Sequence, residues 1–360
     1  MDFCIDGRFL VQSITGVQRY AIGIVTVMDS LLGENDHVTI LLPRQQIVTQ
    51  LSLRRIKMKQ IGRLRGHLWT QIEEMSYIRQ HHLPLVSFTG LPPVFRPGFM
   101  TVHDLNFINI PEAYSWKYRA LYSFGYHIAL KRANKIFTVS ECSKQQISHC
   151  YHISPDKIAV AYDGANVTAK AEPGFDHAVL DKFALKSRSY FFTVGSRSRH
   201  KNQRFIEDLA RLRPDLTFVI SGDANGCFNS EKHSPSEGQS NVIFTGYVSE
   251  PELAALYRNT KGLIMPSLYE GFGLPPLEAI SLGCRAVAVS DIPVFREIYR
   301  NIYFFDPVQP ESFDFDRFEA ISVPDADFEY YKKTYSFERS AALILDEIVR
   351  GCDLLLKKQV

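Results

Sequence analysis

The sequence predicts an α/β protein built from two Rossmann-like, doubly wound parallel sheets. Three observations carry this expectation. At 360 residues the chain exceeds what a single core usually serves. Short apolar runs alternate with stretches of helical periodicity, the signature of strand–helix–strand units. The alternation pauses at a linker, Ala171-Glu172-Pro173-Gly174, and then starts afresh.

In the first half, Cys4-Ile5 closes a short strand. Residues 16–32 follow as a helix marked by Val17, Tyr20, Ala21, Ile24, Val27, Met28 and Leu31. Residues 38–42 are the next strand, stopped by Pro43. Strands at 85–88 and 99–102 come next, the second running into His103-Asp104-Leu105. A helix over 119–131 and a strand over 135–139 lead to Ser140, placed to cap a helix from Glu141. The last strand of this half is 157–162. The second half opens with a strand at 190–194, the loop Gly195-Ser196-Arg197-Ser198-Arg199-His200-Lys201-Asn202, and a helix. Strands at 216–220, 242–244, 262–265 and 286–289 follow, with helices at 250–259, 277–282 and 294–299. Residues 227–240 read as a polar mobile loop, and 337–355 as a long amphipathic helix.

Composition narrows the function. The chain is 45% hydrophobic and 22% charged, as a soluble globular protein is, and a net charge of +2 does not point to nucleic acid. Six scattered cysteines without a CxxC pair suit reduced thiols in the cytosol. The N-terminus carries Asp2 and Asp6 where an export signal needs bases, and the apolar run at 20–32 is too short for a bilayer. A cytoplasmic protein is expected, with a peripheral place on the inner face of the plasma membrane as its extension. That extension rests on the acid-free stretch 51–66, with Arg54, Arg55, Lys57, Lys59, Arg63 and Arg65. This stretch is either a solvated, partly disordered surface or a dock for anionic lipid. No GxGxxG follows the first strand and no phosphate loop is present, against a dinucleotide oxidoreductase or a P-loop enzyme. Two DxD strings, at Asp314 and Asp325, read as surface rather than as metal ligands.

The chain is organised around Pro266-Ser267-Leu268-Tyr269-Glu270-Gly271-Phe272-Gly273-Leu274-Pro275-Pro276-Leu277-Glu278. A strand before it and a helix after it aim backbone N–H groups and a helix dipole at an anion. Glu270 and Glu278 bracket the turn and suit sugar hydroxyls. Alone, Gly271 and Gly273 need do no more than permit a tight connection. The basic loop at Arg197 to Lys201 would neutralise a diphosphate leaving group opposite that turn. With the junctions at Gly16 and His103, four such points address one cleft between two α/β halves.

Thr15-Gly16-Val17-Gln18-Arg19-Tyr20, Val102-His103-Asp104-Leu105, Val139-Ser140-Glu141, Val194-Gly195…Lys201-Asn202, Gly246-Tyr247-Val248 and the E-x7-E stretch resemble, in order, segments of the family-4 retaining glycosyltransferases. The resemblance covers most of the chain. It implies the GT-B fold: an acceptor-binding domain over 1–168 and a donor domain over 169–335, facing across a cleft, with 336–360 a helix crossing back to the first. It implies a nucleotide-diphosphate sugar donor, no metal and no further cofactor. Lys201 with Arg197 or Arg199 would hold the diphosphate, Glu278 the ribose, and Glu270 with the amides of Gly271, Phe272, Gly273 and Leu274 the donor sugar. Gly16, with Thr15 and Val17, would lie near the phosphates, while Ser196, Gly222, Tyr247 and Val248 complete the donor site. His103 would reach the transferred sugar. No carboxylate nucleophile is nominated; His103, Glu270, Arg197 and Lys201 form the catalytic set. The patterns at Thr15 and Val102 look most like bacterial mannosyltransferases of surface-polysaccharide assembly, which implies GDP-mannose and a lipid-linked oligosaccharide acceptor. UDP- or dTDP-sugars stay open as donors. A GT-B sugar-nucleotide epimerase and a non-catalytic binding relative are the rival readings. Three departures from the family stand out: His200 before Lys201, Thr15 for a second glycine, and Arg285 for a proline.

Overall fold

The computed structural model describes residues 1–164, 174–222 and 240–357, with side chains to residue 352. All of the expected linker 171–174 but Gly174, and all of the polar stretch 227–240 but Ser240, lie outside the described residues. Two compact units emerge. One comprises Met1–Leu105, Lys117–Gly164 and Tyr335–Val360, the other Asn106–Trp116 and Ala165–Thr334. The excursion of Asn106–Trp116 into the second unit has no counterpart in the expected boundaries.

The first unit holds seven parallel strands: β1 (Asp2–Asp6), β2 (His37–Pro43), β3 (Lys57–Ile61), β4 (Leu85–Ser87), β5 (Phe99–Thr101), β6 (Lys135–Thr138) and β7 (Ile158–Val160). Their order is β3-β2-β1-β4-β5-β6-β7, so the direction of winding reverses between β1 and β4. Buried runs such as Phe3-Cys4-Ile5 are what a sheet covered on both faces requires. Helix α1 (Gly16–Leu31) covers it with Tyr20, Ala21, Ile24, Val25 and Met28.

The basic stretch is not disordered. Lys57 and Lys59 sit on β3, an exposed edge strand, where charged side chains deter pairing with another chain. The residues before it are anchored: Asp29 on α1 accepts the backbone N–H groups of Arg54, Arg55 and Ile56 at 2.7–2.8 Å. These bonds lower the Asp29 pKa against the opposing effect of burial. A helix over 66–80, which no clear sequence period announced, follows; its middle, Trp69–Glu74, is a π turn. Trp69 fills the pocket under β1 and β4 and donates to Ile61 O at 3.0 Å.

Helices α2 (Trp116–Arg132) and α3 (Glu141–Tyr151) complete the layer, and Ser140 caps α3 as expected by accepting the Ser143 N–H. The terminal helix Phe337–Lys357 belongs to this unit. Its Phe337 ring fills the space a Cβ on Gly23 would occupy, and Ser340 donates to Tyr162 O at 2.6 Å. Among the described residues no helix is long and apolar enough to cross a membrane.

The second unit has six parallel strands: β8 (Tyr190–Val194), β9 (Thr217–Ser221), β10 (Val242–Gly246), β11 (Gly262–Met265), β12 (Val287–Ser290) and β13 (Tyr303–Phe305). The order is β10-β9-β8-β11-β12-β13, reversing between β8 and β11. An aromatic core backs it, with the Phe191 ring meeting those of Phe218, Phe315 and Phe318, and Phe218 meeting Phe315. Helices α4 (Gln203–Leu212), α5 (Glu250–Asn259) and α6 (Leu274–Ser281) pack on the sheet. Arg285, in place of proline, ties down the chain beyond by bonding Val323 O and pairing with Asp325. The DxD strings are only partly surface. Asp314 caps a short helix through Arg317 N–H, whereas Asp327 is buried, paired with Arg300 at 2.7 Å and Asn301 at 2.6 Å.

Candidate active site

In a doubly wound sheet a ligand crevice opens beyond the carboxyl ends of the strands where the winding reverses. In the second unit those strands are β8, which runs into Gly195, and β11, which runs into Pro266. The basic loop and the organising turn are therefore the two loops that flank the switch point.

Three adjacent strands, β8, β9 and β10, end on glycines 195, 222 and 246, and the chain there is packed backbone on backbone. Gly195 N–H donates to Ser221 O at 2.9 Å, and Gly222 N–H to Gly246 O at 3.0 Å. Gly222 has φ +129°, and a Cβ on it would lie 2.0 Å from Gly195 O. Only glycine fits.

From this platform the basic loop turns back toward β11. Lys201 Nζ lies 2.6 Å from Glu270 Oε1, a partly buried pair with side chains 21% and 10% exposed. Asn202, in the left-handed region at φ +51°, holds the loop by donating Nδ2 to Pro266 O at 3.1 Å and to Pro307 O at 2.8 Å. His200 O accepts the Leu268 N–H at 2.7 Å, and Gln203 Nε2 donates to Gly195 O at 2.7 Å. The His200 ring is buried and its pKa falls to about 4, through lost hydration first and the charge of Lys201 second. It stays neutral, so the loop's cations are Arg197, Arg199 and Lys201.

The arginines differ in setting. Arg197 lies over the Phe244 ring at 5.3 Å, while Arg199 is largely exposed and 3.7 Å from Glu112 on the 106–116 excursion. Both line an open concavity with Gln203, Phe244 and Leu268. Ser196 and Ser198 share a hydroxyl–hydroxyl bond of 2.6 Å.

The organising turn is held from below. Gly273, at φ +89°, rests on Phe295, whose ring would be 2.3 Å from an added Cβ, and its carbonyl accepts the Tyr299 hydroxyl. Gly273 caps α6, and Pro275 and Pro276 follow in the first turn. They pre-set the helix but donate no N–H. An anion at this end of α6 would meet the dipole and the amides at 271–274, the set the sequence pattern names. Glu278, buried on α6, accepts the Tyr257 hydroxyl from α5 at 2.9 Å through Oε2. Tyr247 is exposed beyond β10, whereas the Val248 side chain is buried and offers a ligand only its backbone.

The other two junctions belong to the first unit. Thr15 N–H and its hydroxyl both donate to Gln18 Oε1, fixing the start of α1 at Gly16 and Val17. His103 follows β5 with Nε2 2.9 Å from Phe88 O and its ring edge-on to Tyr20 at 4.9 Å. Loss of hydration pushes its pKa down to about 4, outweighing the Phe88 bond. The imidazole is neutral, with the proton on Nε2 and a lone pair on Nδ1. Four residues with a part in this geometry escaped the sequence reading: Tyr257, Phe295, Tyr299 and Gln203. Each acts on a backbone or carboxylate distant in sequence or on a turn of unknown shape, so no local signal marks them.

The glycosyl transferases group 1 family matches residues 180–314, which take in the basic loop, the organising turn and both glutamates. Over 259 residues the chain is 29% identical to the O-antigen chain mannosyltransferase RfbU of Salmonella typhimurium, covering 70% of this chain and 69% of that one. It is also 29% identical to the O-antigen chain mannosyltransferase B of Escherichia coli over 56% of each chain. Among solved structures it is similar to Anabaena HepE in complex with UDP-glucose, with TM-score 0.64, 14% identity and 99% of both chains covered. WaaG, a glycosyltransferase involved in lipopolysaccharide biosynthesis, gives TM-score 0.59 at 15% identity over 98% of this chain and 95% of its own. At these identities the structural likeness speaks for the fold, GT-B.

Proposed function

We propose that this chain, which carries a group 1 glycosyltransferase domain on a GT-B fold, moves mannose from GDP-mannose to a lipid-linked glycan of a bacterial surface polysaccharide, with retention and without a metal. The observation that carries the reading is the partly buried Lys201–Glu270 pair at the switch point of the second unit. The names of the relatives, RfbU and mannosyltransferase B, support mannose.

Lys201 contributes the fixed cation beside the departing diphosphate, joined by Arg197 or Arg199. Glu270 orients that ammonium and accepts a hydroxyl of the donor sugar, the two roles a carboxylate with several lone pairs can fill together. Glu278, steadied by Tyr257, accepts the ribose hydroxyls. In the transfer, the bond from the sugar C1 to the diphosphate oxygen breaks as the acceptor oxygen bonds C1 on the same face. The acceptor's proton passes to the leaving phosphate oxygen, and the charge left on the diphosphate is met by the loop cations. His103, neutral, offers Nδ1 as an acceptor to a hydroxyl of the transferred sugar rather than a positive charge.

Thermal unfolding against GDP, UDP, dTDP and ADP, each with and without EDTA, tests the donor. A nucleotide at about 100 times its Kd should add roughly 2.7 kcal/mol. Stabilisation by GDP alone, unchanged by EDTA, is expected. Stabilisation by UDP or dTDP instead would discard GDP-mannose, and dependence on a metal would discard the cation-only mechanism.

A further inference from the structure

We propose that Asp6 and Arg8 are positioning residues for His103: they fix the 88–91 segment, whose first carbonyl decides how the imidazole is turned and which of its nitrogens carries the proton. The effect on transfer rests on the role given to His103 above; the effect on the ring does not.

Strand β1 ends in Asp6 and β4 runs into Phe88, so the two flank the point where the winding of the first sheet reverses. Arg8 Nε lies 3.1 and 2.9 Å from the carboxylate oxygens of Asp6, and Nη2 donates to Oδ2 at 2.6 Å. The clamped guanidinium then reaches across the switch point. The same Nη2 donates to Leu91 O at 3.0 Å and to Thr89 O at 3.3 Å. Gly90, at φ +65°, makes the turn that brings those two carbonyls to one nitrogen. One residue upstream, Phe88 O accepts from His103 Nε2 at 2.9 Å.

The remaining contacts of His103 do not read its ring nitrogens. The Ser143 hydroxyl donates to His103 O at 3.1 Å and so holds the backbone from α3. Tyr20 stands edge-on to the ring at 4.9 Å and is itself tied to Ala161 O at 3.1 Å. The tautomer is therefore set by Phe88 O. A carbonyl only accepts, so Nε2 carries the proton and Nδ1 keeps the lone pair offered to the transferred sugar. Once the 88–91 segment loosens, Nε2 loses its acceptor and the proton can sit on either nitrogen.

A pair this deep points to geometry more than to stability. Asp6 is fully buried and Arg8 5% exposed. Buried ion pairs exchanged for apolar residues of like volume often leave stability unchanged or raised. An apolar pair, however, cannot hold two carbonyl oxygens in chosen places. Glu74, buried beside the pair, is no rival clamp, because neither of its oxygens bonds the guanidinium. Lost hydration, and then the charge of Asp6, raises its pKa well above the usual carboxylate range.

The test is a ring-nitrogen NMR spectrum of the whole chain carrying isotope-labelled histidine, near neutral pH, with the His103 signals identified by their loss in His103→Ala. Wild type is expected to show one tautomer, protonated on Nε2. Arg8→Lys keeps a charge beside Asp6 but cannot hold Asp6 and both carbonyls, and should show both tautomers in exchange. Its turnover at saturating substrates should fall about 10-fold, with the donor KM within about 2-fold of wild type. In a His103→Ala background the same change should cost less than about 2-fold more, since the residue it acts through is gone. Asp6→Asn, which keeps the shape and one acceptor oxygen, is the second variant and should move the spectrum the same way. Ile78→Ala opens a cavity in the core of the same unit and serves as control, with a lower unfolding temperature and an unchanged tautomer. A single Nε2 tautomer in both Arg8→Lys and Asp6→Asn would overturn the proposal. So would full multiplication of the Arg8→Lys and His103→Ala losses, or an equal spectral change in Ile78→Ala. Wild-type turnover in His103→Ala would instead remove His103 from transfer, and the ring spectrum would still decide what holds it.

Discussion

Replacing Lys201 by alanine is expected to lower turnover by about 10²-fold or more, and Glu270→Ala to do the same. The reason is the shared site of the two groups. Lys201 brings a cation to the end of β8, but its ammonium is fixed only because Glu270 Oε1 meets it at 2.6 Å. Without Glu270 the long side chain regains its rotamers and the sugar loses an acceptor. Without Lys201 a largely buried carboxylate is left alone beside the place where leaving-group charge develops, which repels the transition state as well as failing to stabilise it. Lys201→Arg separates charge from shape: it keeps the cation but cannot keep the same single contact, so partial activity is expected. Steady-state kinetics with saturating donor make the comparison. Turnover near wild type in both alanine variants would remove the pair from the mechanism.

Gly222→Ala should destabilise the second unit by about 3 kcal/mol and abolish most activity with it. Two penalties add. At φ +129° an L side chain is strained, and the new methyl would stand 2.0 Å from Gly195 O. Neither backbone has room to yield, since Gly195 is bonded to Ser221 and Gly222 to Gly246. Displacing Gly195 also disturbs the Gln203 bond and the packing of the Lys201 stem, which lies 3.3 Å from a Cβ built on Gly195. A fall in unfolding temperature of roughly 10 °C is expected for a unit of this size. A variant melting within a degree or two of wild type would show that the strand ends are looser than described.

Much of this was legible in the residues. The strand–helix alternation is strong because both faces of each sheet are covered, so Phe3-Cys4-Ile5 or Leu263-Ile264-Met265 appear as plain apolar runs. The Glu270–Glu278 turn stood out because glycine and proline are constrained residues whose positions report backbone shape. What stayed hidden has equally definite causes. β3 is nearly all exposed, so Lys57 to Ile61 carries no burial pattern and resembles a loop. The 66–80 helix contains a π turn that breaks the 3.6-residue period just where Trp69 enters the core. Asp327 looked like surface because its partners, Arg300 and Asn301, are more than twenty residues away. The Tyr257 hydroxyl on Glu278 likewise joins two helices, and a contact across helices leaves no mark on either.

The most direct measurement gives the purified chain labelled GDP-mannose and a lipid-linked glycan extract, with EDTA present, and follows the label into the lipid fraction. The account predicts transfer to lipid with retained anomeric configuration, lost in Lys201→Ala. Transfer from a UDP- or dTDP-sugar but not from GDP-mannose would contradict it. So would conversion of the nucleotide sugar itself without an acceptor.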